Sequence, residues 1–180
     1  MNCTLTFDGD LKANGSVRHK HALRRAFHRQ LSQLWEGTPF MQLKNPSETL
    51  TTIIAGYRFF PMISGARNET AELQLLLLRP GAGPGFIVGQ GGDIDNRLKT
   101  LLDSLRMPKD ISEIPSDYIQ ESDENPFFCL LEDDILISDL SVSTDRLLEP
   151  CESRSHVKLI VRVQAKEASK LGANMILRIG

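Results

Sequence analysis

The sequence predicts an α+β fold: a single domain with one mixed β-sheet and helices packed on one face. Three observations carry this prediction. Stretches with two-residue alternation and stretches with 3.6-residue periodicity follow one another as strand, helix, strand pair, helix, strands. The 180 residues suit one hydrophobic core, so residues 1–180 are expected to form one unit. Hydrophobic residues at 41% against 24% charged describe a folded, soluble chain, and no apolar run reaches the roughly 18–20 residues a membrane span needs.

Residues 3–7, Cys-Thr-Leu-Thr-Phe, alternate and stop at Asp8-Gly9, which reads as a short strand and a turn. Ser16 is placed to cap a helix over 17–35, with Leu23, Phe27, Leu31 and Leu34 or Trp35 as its buried stripe and Gly37 and Pro39 as its stop. Residues 39–50 are a polar connector. Residues 51–63 are rich in β-branched and aromatic types and predict a strand. After a turn at 65–68, residues 71–79 predict a central strand, antiparallel to the one before, because its end is apolar on both faces. Pro80 to Gly85 is a loop by composition, and Gly89-Gln90-Gly91-Gly92 leads into a helix that ends near Leu105. That helix buries Ile94, Leu98, Leu101, Leu102 and Leu105. Residues 107–126 form an acidic, proline-bearing insertion. Strands are expected over 135–143 and 156–164, where Val157, Leu159, Val161 and Val163 alternate with polar residues. Helical turns over 165–171 and a strand over 175–179 complete the expectation.

Charge is unevenly spread. The net charge is −2, but residues 11–30 hold Lys12, Arg18, Lys20, Arg24, Arg25 and Arg29 without an acid, while residues 109–134 hold nine acids and one lysine. The basic helix face, Arg18, Lys20, Arg24, Arg25 and Arg29, is the candidate DNA-backbone contact, since each cation that neutralises a phosphate releases counterions. The other reading of that face is simple solvation. Histidines 19, 21 and 28 have no carboxylate near them in sequence and are read as surface residues. The three cysteines, Cys3, Cys129 and Cys151, have no paired spacing, which argues against zinc and fits a reducing, cytoplasmic setting. Met1 to Asp10 has no basic segment followed by an apolar core, so no secretory signal is expected.

The chemistry concentrates at the start of the second helix. Asp95, Lys99 and Asp103 recur every four residues and share a face, with Asp93 at the helix start. The glycine-rich approach lacks a nucleotide-binding ending, and the two aspartates would repel an anion, so a cation is expected there. A second acidic knot, Glu132-Asp133-Asp134, sits between Leu130-Leu131 and Ile135-Leu136-Ile137. Carboxylates so flanked are more often ligands than accidents of a turn.

The segments Asp93-Ile-Asp95-Asn96-Arg-Leu-Lys99 and Asp133-Asp134-Ile-Leu-Ile137 resemble the RusA-type Holliday junction resolvases. The likeness covers residues 91–106 and 131–140, and the family pattern has a shorter gap where this chain carries the insertion. The resemblance implies a Mg²⁺-dependent endodeoxyribonuclease, with Mn²⁺ as a substitute, acting on four-way junctions in recombination or repair. Asp93, Asp95, Lys99 and Asp134 would be catalytic, and Asp93, Asp95, Asp133 and Asp134 would hold metal. It also implies a homodimer. Asp103 is read as structural. The alternatives are a non-catalytic DNA- or protein-binding module derived from such a nuclease, favoured by the acidic insertion, and a metal-dependent hydrolase of small phosphate esters.

Overall fold

The computed structural model describes residues 1–37, 51–80 and 93–168. The expected strand over 175–179, residues 169–171 of the expected helical turns, the connector over 39–50 and the glycine-rich stretch over 81–92 lie outside these residues; residues 165–167, expected as helical turns, instead continue the last strand. The order is β1 (Asn2–Asp10), α1 (Val17–Glu36), β2 (Thr52–Ile54), β3 (Tyr57–Ile63), β4 (Glu69–Arg79), α2 (Asp93–Leu105), β5 (Phe127–Leu131), β6 (Ile137–Arg146) and β7 (His156–Glu167). The class is α+β as expected, but the strands form two mixed sheets rather than one. One sheet has four strands in the order β1-β7-β4-β6, and the other three, β2-β3-β5.

In the larger sheet, alternation decides which face meets the helices. Leu5 of β1, Ala71, Leu73, Leu75 and Leu77 of β4, and Val157, Leu159, Val161 and Val163 of β7 are all buried in one core cluster. Leu23, Phe27 and Leu31 of α1 and Ile94, Leu101 and Leu105 of α2 join that cluster from one side. Each such leucine or phenylalanine contributes roughly 1.5–3 kcal/mol by leaving water. β4 is central, antiparallel to β7 and parallel to β6. The parallel pairing requires a crossover, and α2 lies within it.

The residues taken for a strand over 51–63 instead make a hairpin. β2 pairs antiparallel with β3 across Ala55 and Gly56, at φ 53° and 85°. Positive φ at both central residues matches the twist of a two-residue hairpin turn. β3 then pairs parallel with β5, not with β4, so the expected antiparallel pair of 51–63 with 71–79 is corrected. The chain breaks direction between the sheets at a 3₁₀ turn, Gly65–Arg67, capped by the Ser64 hydroxyl and closed by Asn68 at φ 58°. A second corner, the 3₁₀ turn Asp134–Leu136, follows β5 in the same way. Glu132 joins the two corners: its carboxylate accepts from Ser64 Oγ at 2.6 Å and the Gly65 N–H at 2.9 Å.

α1 and α2 pack side by side. The loop between β1 and α1 crosses α2 at Gly15, whose N–H donates to Thr100 Oγ1 at 2.9 Å. A Cβ at Gly15 would lie 2.7 Å from both Thr100 Cγ2 and His19 Cδ2, so the approach requires glycine. At the other end, the buried Arg24 guanidinium donates to the Asp103 and Arg106 carbonyls at 2.9 and 3.1 Å. It thereby satisfies carbonyls that the end of α2 leaves without helical partners. No helix among the described residues is long and apolar enough to cross a membrane.

Candidate functional site

α2 starts where the sequence places it, with Asp93 as its first residue; the Asp93 side chain lies outside the described residues. Asp95 and Lys99 are exposed and one turn apart, and neither has an ion pair with another described residue. Asn96 contributes its carbonyl to the Thr100 hydroxyl. Arg97, on the opposite side, is buried and donates to the carbonyls of Leu11 and Ser155, the latter at 3.4 Å. The first turns of α2 are therefore tied to the end of β1 and to the approach of β7, while the Asp95–Lys99 face stays open to solvent.

The second acidic segment is placed elsewhere. Asp133 caps the 3₁₀ turn after β5, accepting from the Ile135 N–H at 3.1 Å. Lys109 Nζ lies 3.5 Å from Asp133 and 4.0 Å from Asp134, and Arg106 Nε lies 4.0 Å from Asp134. A hydrogen bond between the two carboxyls raises the pKa of Asp134 and lowers that of Asp133; burial and the Asp133 charge add to the first, and the Ile135 N–H to the second. Arg106 directly follows α2, and Met107 N–H donates to the Leu131 carbonyl at 2.9 Å. Asp133 and Asp134 thus sit beside the C-terminal end of α2, whereas Asp93 and Asp95 open it. At 1.5 Å per residue, Asp95 and Leu105 are about 15 Å apart along the axis. The sequence names Asp93, Asp95, Asp133 and Asp134 as metal ligands without fixing one ion or two; within one chain the two segments stand apart along α2. The reason is topological: α2 runs back along the sheet between parallel β4 and β6, so the end of β4 and the start of β6 lie at opposite ends. Among the described residues, no group of three or more histidine, cysteine, aspartate or glutamate side chains is arranged to hold a metal.

The basic face of α1 is engaged within the chain. Arg24 is 1% exposed and out of reach of any phosphate. The other four cations meet carboxylates. Lys20 reaches Asp103 at 2.6 Å. Arg18 meets Asp117 at 2.9 Å, and Arg29 meets Glu121 at 3.5 Å. Arg25 is bidentate on Glu124, contacts Glu121 at 3.3 Å and stands over the Tyr118 ring. Glu124 is 1% exposed. Burial opposes its charge, but hydrogen bonds from Arg25, the Glu121 N–H and the Tyr118 hydroxyl outweigh that and hold its carboxyl below the usual range. The insertion over 107–126 is therefore a folded cover on α1, seated by opposite charge.

That cover buries two of the histidines read as surface residues. His28 Nδ1 accepts from the Phe128 N–H at 2.8 Å, and its Nε2 lies 3.2 Å from the Asp123 carbonyl, which fixes the neutral tautomer protonated at Nε2. His21 is 4% exposed, packs edge-on to Tyr118 with ring centroids 4.5 Å apart, and finds no hydrogen-bond partner for either ring nitrogen. Burial, reinforced by Arg24 and Arg25, pushes its pKa down to about 4. His21, Arg24 and His28 fall at i, i+3 and i+7 and share one helical face, whose polarity hides that it is buried.

Compared with known proteins, the chain matches no family model, no curated protein and no solved structure.

Proposed function

We propose that the chain is a metal-dependent endonuclease acting on branched DNA, with the first turn of α2 as its metal-binding end. The observation that carries the reading is the open Asp95–Lys99 face. In a region where Asp103, Glu113, Glu121 and Glu124 are all engaged by arginine or lysine, Asp95 and Lys99 have no charge partner among the described residues. An exposed carboxylate on a helix start suits a hard ion such as Mg²⁺, or Mn²⁺ in its place, which takes oxygen ligands and keeps several waters. When bound, such an ion polarises a phosphoryl oxygen and acidifies a water. Asp93 and Asp95 would hold it, and the Lys99 ammonium, one turn on, would stabilise charge developing on the phosphate.

Asp133 and Asp134 enter this reading through a second copy. In the homodimer that the resemblance implies, the acidic pair of one copy would complete the site of the other. A binding module without turnover is the competing reading, favoured by the carboxylates that occupy the cations of α1.

The test is cleavage of a labelled four-way junction with and without Mg²⁺, beside Asp95→Asn and Lys99→Ala. Metal-dependent nicking, reduced about 100-fold or more in Asp95→Asn with its circular dichroism unchanged, is the expected result. Equal cleavage by wild type and Asp95→Asn would exclude the assigned site. Junction binding without cleavage in either metal would establish the binding module instead.

A further inference from the structure

The α1 face was the sequence's candidate for holding DNA, and its cations are occupied. Other cations are not. Lys12, Lys99, Arg146 and Arg154 are exposed and have no ion pair with a described residue. They come from four separate segments, yet the topology brings them to one end of the larger sheet. β1 ends at Asp10 opposite His156, where β7 begins, which places Lys12 and Arg154 just beyond that pair. β4 and β6 end together with Arg79 opposite Arg146. β7 begins beside the end of β4, with Lys158 opposite Leu78. The same end receives α2: buried Arg97 clamps its first turns to Leu11, next to Lys12, and to Ser155, next to Arg154.

From β1 to β6 the sheet is three strand spacings wide, about 14 Å. Along one DNA strand, with a phosphate every ~3.4 Å of axis, that span covers about four phosphates. Some local acids are already paired: Glu149 and Asp8 with Lys158, and Asp8 also with His156. Asp145 accepts only from the Arg146 N–H and keeps its charge, so Asp10, Asp145 and Glu152 remain as opposing charges.

We propose that this end of the sheet, through Lys12, Arg146 and Arg154, is the surface that grips the nucleic-acid backbone and presents it to the first turn of α2. The proposal rests on the nuclease reading for its ligand class, and it moves backbone binding from α1 to the sheet end. Arg18 and Arg29 then serve to seat the acidic cover.

Binding of a fluorescent four-way junction and of a linear duplex, measured by anisotropy in EDTA over a range of salt, tests it. The proteins compared are wild type, Lys12→Gln/Arg146→Gln/Arg154→Gln and Arg18→Gln/Arg29→Gln. All five positions are exposed, and circular dichroism checks the fold. The triple variant is expected to bind at least tenfold more weakly, with the slope of log K against log salt reduced by about 2.7, or ~0.9 for each of three lost phosphate contacts. The α1 variant should change less than twofold. A larger loss in the α1 variant, an equal loss in both, or no binding by wild type would overturn the proposal. Cleavage of the same four-way junction in Mg²⁺ separates the two claims. Turnover without the expected binding pattern leaves the nuclease reading and removes the surface. The expected pattern without any cleavage keeps the surface and removes the nuclease.

Discussion

His21→Leu should stabilise the protein and remove part of its acid sensitivity. The imidazole is buried against Tyr118 and Phe127 with both nitrogens unpartnered, so it is neutral in the fold. Unfolded, it binds a proton below its ordinary value of 6.5; folded, it resists protonation down to about 4. Its contribution to stability is therefore complete above pH ~6.5 and falls as the pH drops through the window between these values. Integrating that linkage from pH ~7.5 to pH ~5 gives a loss of about 2 kcal/mol from His21 alone. His28, depressed in the same direction chiefly by burial, adds to the slope in both proteins and cancels in the comparison. Leucine has a similar bulk and no polar atom to leave unsatisfied, which should gain about 1 kcal/mol or more at neutral pH. Urea unfolding of wild type and His21→Leu at the two pH values reads both effects. The difference between the two proteins should grow by about 2 kcal/mol on acidification. Parallel losses of stability would refute the assignment of a neutral, desolvated imidazole.

Three further outcomes follow from particular contacts. Glu124→Ala removes a buried carboxylate that serves Arg25, Tyr118 and the Glu121 N–H, and should cost about 3–5 kcal/mol by chemical denaturation, with new protease sensitivity over residues 107–126. Gly15→Ala forces a methyl against Thr100 and His19 and should cost about 1–3 kcal/mol, seen as a lower midpoint at unchanged slope. Mixing Asp95→Asn with Asp134→Asn homodimers, each inactive alone, should restore junction cleavage if one copy completes the other's site. No restoration under conditions of subunit exchange would place both carboxylates in separate roles.

Local order was legible because it depends on short-range rules. Ser16 caps α1 as its position suggested, and α1 and α2 end within a residue of their periodic runs. β7 and β4 follow alternation that any half-buried strand must show. What failed depends on pairing at a distance. The hairpin at Ala55-Gly56 was hidden because alanine rarely takes positive φ, leaving one glycine as the only signal. The parallel pairing of β3 with β5 joins residues about seventy apart and leaves no mark on either segment alone. The cover on α1 did leave one: an acid-free basic stretch and an acid-rich insertion stood in the same sequence, and their opposite signs were the clue to contact. The geometry of the candidate site divides in the same way. The i, i+4 relation of Asp95 and Lys99 is local, whereas the position of Asp134 relative to them follows from strand order.

The guanidinium of Arg24 beneath the last turn of α2 sets a condition on how the chain acquires its shape. The carbonyls it satisfies belong to residues 79 and 82 positions later. α2 has no basic side chain in its last turn, and the donor to these carbonyls comes from α1. During synthesis α1 emerges first and can present Arg24 only when residues 103–106 arrive, after β2 to β4 have been made. Closing that loop costs entropy before the contact returns any stability. The pairing of the two helices therefore belongs to the cooperative, late part of folding, and a fragment lacking residues 1–36 would lose the ordered end of α2 along with its core.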